Sequence, residues 1–207
     1  TGVPRNIYAV GDSITTATGT GQLGAEQPFN SWVTGVHPTV IRDGREGSPN
    51  VLSMRYRLGI PDDRAVNLAS NGRRMEHFDD QADQLPSTAQ YVVVELGGND
   101  LCQETVEEMT SVADYRAQFR AGLQAVSQRA PNALIYVASV PDIFNLWYIR
   151  GFNDDQTGQA RKAHFFWDNP TGVVIPCESL LANPTSNDPA DVQRRQQVRQ
   201  RNIAYNG

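Results

Sequence analysis

The chain has 207 residues, 39% of them hydrophobic, and a formal net charge of −5, which fits one domain over residues 1–207 with a sizeable buried core. No apolar run approaches the roughly 20 residues that a helix needs to cross a bilayer, so a transmembrane segment is excluded. The acidic balance argues against a nucleic-acid partner, because contacts to phosphates require a basic surface.

The first element is an apolar, β-rich run over residues 7–10, which stops at Gly11 and is followed two residues later by Ser13. This pattern predicts a strand with a serine at its carboxyl end. In open α/β sheets ligands bind at the carboxyl ends of the strands. We therefore expect chemistry at Ser13.

A glycine-rich segment, residues 19–24, matches the Gly-x-Gly-x-x-Gly dinucleotide fingerprint. The fingerprint belongs directly at a strand end, with an acidic residue closing a second strand, and neither condition is met here. We interpret the segment as a loop and predict no cofactor. The histidines lack a paired spacing and the two cysteines are far apart in sequence, so no metal site is expected.

Strands and helices alternate along the rest of the chain. The patterns predict strands at residues 64–68, 91–96 and 134–140, and helices at residues 50–58, 73–85, 111–129 and 191–205. The last two strands are near-continuous apolar runs, which is typical of strands buried on both faces. The alternation predicts a parallel α/β sheet.

The last predicted helix carries four arginines: Arg194, Arg195, Arg199 and Arg201. Charged residues clustered on a helix are most simply interpreted as a solvated face. A binding patch is the alternative.

An aromatic segment, residues 143–167, follows the carboxyl end of a predicted strand. Ligand sites are mostly apolar with a few polar groups, so this segment is a candidate substrate pocket, with Phe144, Trp147 and Tyr148 as its first aromatic residues. The alternative is an insertion that packs its own small core.

Three predicted strands end in different polar groups: Ser13 after the first, Gly72 after the second and Asn99 after the third. A serine that attacks an ester carbonyl creates an oxyanion, which needs preorganised hydrogen-bond donors. The N–H groups of Ser13 and Gly72 and the side-chain amide of Asn99 are suitable donors. Glycine suits the second position because a backbone can approach there without a Cβ in the way.

These segments resemble the SGNH/GDSL hydrolase family. Gly11-Asp12-Ser13-Ile14 is similar to its first block, with Ile in place of the usual Leu, while residues 67–72 and 97–100 resemble its second and third blocks. The blocks arrive in order, and the resemblance covers essentially the whole chain. It implies a flavodoxin-like three-layer α/β/α fold with a central parallel sheet, and an esterase or lipase that hydrolyses carboxylic esters.

The resemblance also implies roles for individual residues. Ser13 would be the nucleophile that forms an acyl-enzyme, and Ser13, Gly72 and Asn99 would form the oxyanion hole. Three further residues would support the site by fixing its loops: Asp12, Asn67 and Asp100. The expected partner is a small-molecule ester or lipid substrate, and we expect a monomer.

The two cysteines, Cys102 and Cys177, allow one disulfide, and the alternative is a pair of buried thiols in a cytosolic protein. A cysteine three residues after the block-three asparagine is similar to secreted bacterial esterases and lipases of this family, where it is commonly bridged. The chain also begins at Thr1 without a Met, as a processed or trimmed chain would. We therefore expect a disulfide and an extracellular location.

The fourth block of the family, Asp-x-x-His, is not found, although a serine hydroxyl needs a base. None of the three histidines, His37, His77 and His164, has an aspartate three residues before it. One explanation places the last strand and the histidine loop beyond Gly207 or on a separate piece of the protein. The other is an impaired relative that binds a lipid or glycan ester, or that uses His164 as an unusual base. A carbohydrate acetyl esterase is an alternative activity.

Overall fold

The computed structural model describes residues 2–20, 24–36, 41–42, 45–46, 51–145, 177, 179–184 and 186–207. Trp147, Tyr148, His37 and His164 lie outside these residues. The chain divides into two compact units, defined as unit 1 (Thr1–Leu96 with Arg116–Ser139) and unit 2 (Gly97–Tyr115 with Val140–Gly207).

Unit 1 contains the strands, which in chain order are β1 (Ile7–Gly11), β2 (Ile41–Arg42), β3 (Arg45–Glu46), β4 (Ala65–Asn67), β5 (Tyr91–Glu95) and β6 (Leu134–Val137). Four of them form one sheet in the order β4-β1-β5-β6, with every neighbouring pair parallel. The other two, β2 and β3, pair only with each other in the described part of the chain. Numbered within the larger sheet, the order is 2-1-3-4, which matches the start of the flavodoxin-like order. The predicted α/β class with a central parallel sheet is confirmed.

The α-helices are α1 (Met54–Arg57), α2 (Phe78–Ala82), α3 (Gly98–Leu101), α4 (Val112–Arg129) and α5 (Pro189–Asn206). The two long helices agree closely with the sequence prediction. The helix predicted at residues 50–58 shortens to α1, because Ser53 accepts a hydrogen bond from the Tyr56 N–H at its start and Gly59, with φ +67°, follows its end. The helix predicted at residues 73–85 is divided into a 3-10 turn and α2.

The core of unit 1 surrounds β1 and β5. Its buried cluster contains Ile7, Ala9, Val33, Ile60 and Val93, each at most 2% exposed. Burying a large aliphatic side chain stabilises a fold by about 1.5–3 kcal/mol, so this cluster is a main source of stability for the sheet.

The edge strand β6 is less buried than its sequence predicts. Its four side chains, from Leu134 to Val137, are 37–57% exposed, so the prediction of a buried strand is wrong here. The reason is its place in the sheet, because β6 pairs with β5 alone among the described strands. The apolar run identified a strand but could not tell what covers it.

The solvated face that the sequence indicates for the arginines of α5, in unit 2, holds for the exposed Arg199 but not for Arg194 and Arg195. Arg195 is 3% exposed and donates to the backbone carbonyls of Asn183 and Ser186. Arg194 likewise donates to the carbonyl of Leu180, at 3.1 Å. The two guanidinium groups thus donate hydrogen bonds to backbone carbonyls of the loop before α5. These contacts could not be predicted from the local sequence.

Candidate active site

Ser13 lies in the turn that follows β1, in unit 1. The turn is closed by two backbone hydrogen bonds, from Thr16 N to the Asp12 carbonyl at 3.0 Å and from Thr18 N to the Ser13 carbonyl at 2.9 Å. Before the turn, Gly11 leaves no room for a Cβ, because the Thr15 side chain and the Glu95 carbonyl occupy that space. A glycine is therefore needed for the chain to turn sharply at this strand end.

Gly72 lies in the loop that follows β4. This loop runs beside the end of β1, with Leu68 N donating to the Ala9 carbonyl at 2.8 Å and Ser70 N to the Gly11 carbonyl at 3.2 Å. Gly72 has φ +72°, and no described atom lies within 4 Å of the position that its Cβ would take. Glycine is required here for its backbone conformation rather than for the close approach that we expected.

Two asparagines join the Gly72 loop to the Ser13 turn. Asn71 Oδ1 accepts hydrogen bonds from the hydroxyls of Thr16, at 3.1 Å, and Thr18. Asn67 Nδ2 donates to the Thr15 carbonyl at 3.1 Å, while its Oδ1 accepts from Ala69 N. The structure thus brings together the segments that carry Ser13 and Gly72, and the supporting role of Asn67 stays a prediction.

Two backbone donors of this region make no hydrogen bond with any described residue. They are the N–H groups of Ser13 and Gly72, and the Ser13 hydroxyl is also without a partner among these residues. Gly72 is exposed and Ser13 is half-buried, so both N–H groups are accessible to a ligand.

A pair of buried carboxyl groups lies beneath the Ser13 turn. Asp12 is 1% and Glu95 is 3% exposed, and Thr15 donates to Glu95 Oε2 at 3.0 Å. Burial, followed by the negative charge of Asp12, raises the pKa of Glu95 to about 8, although the Thr15 hydrogen bond acts in the opposite direction. Glu95 was not predicted as a site residue, although a lone charged residue at the end of an apolar strand is a signal for one.

Asn99 belongs to unit 2, where it lies in α3. The helix follows Gly97, whose φ of +127° is accessible mainly to glycine, and a Cβ there would lie 2.8 Å from the Tyr115 hydroxyl. Asp100 is fully buried and accepts from the Thr110 hydroxyl at 2.8 Å, so its carboxylate holds the segment after the helix. The Asn99 carbonyl accepts from the Gln103 side chain.

The predicted disulfide is present in unit 2. It joins Cys102, directly after α3, to Cys177, with the two Cα atoms 4.4 Å apart and a sequence separation of 75. The end of α5 holds the same region, because Tyr205 stacks on Tyr115 with ring centroids 3.9 Å apart and donates to the Thr110 carbonyl. Burial raises the pKa of Tyr205 to about 12.

Phe144 is the member of the predicted substrate pocket that the structure describes. Its side chain is 9% exposed, and the Arg199 guanidinium lies 5.1 Å from its ring centroid, within unit 2. The assignment of these aromatic residues to a pocket stays a prediction.

His77 is the histidine that lies within the described residues. Its Nδ1 accepts a hydrogen bond from Arg74 N at 3.2 Å, which assigns the proton of the neutral ring to Nε2. A ring in that state has no free nitrogen lone pair with which to accept the Ser13 proton. His77 therefore does not fit the role of the missing base.

Within the described ranges, no group of three or more His, Cys, Asp or Glu side chains is arranged to hold a metal ion. Among the helices of these ranges, none has both the length and the apolar character of a bilayer-spanning segment.

The parallel sheet and the serine turn at the end of its β1 strand define the class of this protein, an α/β protein with its candidate site at the carboxyl ends of the strands. The chain belongs to the GDSL-like lipase/acylhydrolase family, whose model matches residues 9–204. This membership supports ester hydrolysis as the general activity.

No curated protein matches the chain. Among solved structures, the chain is similar to one described as a carbohydrate esterase whose active site displays divergent catalytic and non-catalytic binding functions. The two are 15% identical, with a TM-score of 0.38 over 64% of this chain and 48% of the other. The chain thus spans about half the length of that structure.

Proposed function

We propose that this protein is a serine ester hydrolase that uses Ser13 as its nucleophile. The observation that carries the proposal is the pair of open N–H groups, of Ser13 and Gly72, on two loops that Asn71 joins by hydrogen bonds. Both donors could bind the carbonyl oxygen of an ester that Ser13 attacks. Membership in the lipase/acylhydrolase family supports the same reaction.

In the proposed reaction the Ser13 oxygen attacks the ester carbonyl carbon and its proton passes to a base. The carbonyl oxygen becomes an oxyanion, which the N–H groups of Ser13 and Gly72 would stabilise. The ester C–O bond then breaks, and the alcohol leaves with the proton. Water attacks the acyl-enzyme in the same way and releases the acid. Each oxyanion donor contributes about 3–4 kcal/mol in enzymes of this type.

We do not assign the proton acceptor to His77, because its Nδ1 already accepts a hydrogen bond from Arg74 N. We also propose an extracellular location, supported by the Cys102–Cys177 disulfide, since disulfides persist in oxidising compartments. The substrate remains a carboxylic ester of a small molecule or lipid.

The test is hydrolysis of p-nitrophenyl esters of increasing acyl length by the wild type and the Ser13→Ala variant. We expect Ser13→Ala to lose at least about a thousandfold in kcat/KM, because the nucleophile is removed. The matched control is Ser87→Ala, the same substitution at an exposed serine of unit 1, which should hydrolyse the esters like the wild type.

Two results would contradict the proposal. Equal rates for Ser13→Ala and the wild type would assign hydrolysis to another group. A folded wild type that binds an ester without hydrolysing it would instead indicate a binding protein built on the hydrolase fold.

A further inference from the structure

The carboxyl group of Glu95 is buried directly beneath the residue that precedes Ser13. Glu95 is the last residue of β5, and its backbone pairs with Gly11 across the parallel β1–β5 ladder. Asp12 and Glu95 are at most 3% exposed, so water does not solvate either carboxyl group effectively. Burying two ionised carboxylates together is costly, since each loses its hydration and each repels the other.

The surroundings of this pair favour a proton on Glu95. Glu95 Oε2 accepts from the Thr15 hydroxyl, whereas Oε1 is buried and has no hydrogen-bond partner among the described residues. The negative charge of Asp12 acts on Glu95, and a proton on Oε1 would let Glu95 donate to that carboxylate. Two carboxyl groups can share a hydrogen bond only when one of them is protonated.

We propose that Glu95 is a positioning residue for Ser13, in which a neutral carboxyl group donates its proton to the Asp12 carboxylate and locks the turn that carries the nucleophile. The inference rests on the proposed function, because it assigns Glu95 a part in the same reaction. Glu95 touches no reacting atom and acts through its two neighbours on either side of Ser13.

The contacts explain how this pair holds Ser13. On one side, Asp12 Oδ1 accepts from the Ile14 N–H at 2.9 Å, so the aspartate that receives the shared proton also fixes the residue after the serine. On the other side, the Thr15 hydroxyl anchors the turn to Glu95 at 3.0 Å. Protonated Glu95 can make both contacts at once, by donating to Asp12 and accepting from Thr15.

Ionisation of Glu95 would break the arrangement. The charged group that acts on Glu95 is Asp12. Thr15, whose hydroxyl donates a hydrogen bond to Glu95, is neutral. The side chain that α2 contributes to the adjoining Gly11, Gln81, is neutral as well. Since burial and the Asp12 charge raise the pKa of Glu95 to about 8, the locked form is present at neutral pH and is lost in alkaline solution.

The experiment is a titration of the wild type and the Glu95→Gln variant by NMR, combined with the pH dependence of kcat/KM for ester hydrolysis. In the wild type, the carboxyl carbon of Glu95 and the amide signals of Ser13 and Ile14 should titrate together, with a midpoint near pH 8. Ester hydrolysis should fall about tenfold between pH 8 and 9.5. Glutamine stays neutral, so Glu95→Gln should lose both transitions while keeping kcat/KM at pH 7 within about threefold of wild type.

The matched control is Glu107→Gln, the same change at an exposed side chain, which should titrate like the wild type. Titration of Glu95 near its ordinary value of 4.5, or turn amides that do not follow it, would overturn the proposal. The proposal would also be overturned if the Glu95→Gln variant lost its activity in alkaline solution as the wild type does. A normal joint titration in a protein that hydrolyses no ester would instead refute the proposed function and leave the shared proton standing.

Discussion

The side chain of Gln81 makes two hydrogen bonds to the backbone of Gly11. Its Oε1 accepts from Gly11 N at 2.8 Å, and its Nε2 donates to the Gly11 carbonyl at 3.0 Å. Gln81 lies in α2 and is 4% exposed, so a helix side chain completes the backbone hydrogen bonding at the end of β1. The turn that carries Ser13 therefore depends on a residue 70 positions away in the chain.

Replacing Gln81 with glutamate should destabilise unit 1 by about 2 kcal/mol. A carboxylate can still accept from the Gly11 N–H, but it cannot donate to the carbonyl, which leaves two buried acceptors facing each other. Urea unfolding measures the loss. The control is Gln84→Glu, at an exposed glutamine near the end of the same helix, and an equal loss in that variant would contradict the explanation.

The Gly72→Ala variant should lose stability and activity for separate reasons. An alanine at φ +72° costs about 1–2 kcal/mol, and relaxation of the strained loop would move the N–H group proposed as an oxyanion donor. Gly59→Ala is the matched control, since Gly59 has φ +67° and likewise no described atom near its Cβ position. We expect similar losses in thermal stability, with a decrease in kcat of about tenfold or more in Gly72→Ala alone. A similar decrease in the kcat of Gly59→Ala would show that the loss of activity follows from the loss of stability alone.

Removal of the Cys102–Cys177 disulfide should destabilise the protein by about 4 kcal/mol, because the bridge closes a loop over a sequence separation of 75 residues and restricts the unfolded chain. The measurement is urea unfolding of the wild type with and without a reductant, beside the variant in which both cysteines are serine. Reductant should lower the free energy of unfolding of the wild type to that of the double variant. It should not change the free energy of unfolding of the double variant. A wild type that is insensitive to reductant would contradict this expectation.

The stability of unit 1 should decrease as the pH rises, because of Glu95. Its pKa is about 8 in the folded protein and 4.5 ordinarily, so between these values the folded state binds a proton that the unfolded state has released. The stabilising contribution of Glu95 is fully present below pH 4.5 and is lost as the pH rises through 8. Unfolding midpoints in urea at pH 5, 7 and 9 should therefore fall more steeply for the wild type than for Glu95→Gln. If the urea midpoints of the two proteins fell equally with rising pH, the result would be inconsistent with a raised pKa of Glu95.

Several components of the site could be predicted from the sequence, because each is encoded by residues that are neighbours in the chain. The run before Gly11 identified β1, and the small residues after it identified a turn that presents Ser13. The glycines at positions 72 and 97 marked loops that the structure gives a positive φ. The hydrogen-bond partners of Gln81 and Glu95 could not be predicted, since they are 70 to 80 residues away in the chain.

The sequence by itself determined the parallel α/β class, the order of the polar blocks along the chain and the identity of the candidate nucleophile, because periodicity and turn residues act locally. Only the tertiary structure decided which residues are buried and which hydrogen bonds they make. It left the apolar residues of β6 exposed at the edge of the described sheet, placed Arg195 against loop carbonyls and buried both Glu95 and Asp12. Burial and hydrogen-bond partners depend on which distant segments pack together, and that information does not reside in any single stretch of the chain.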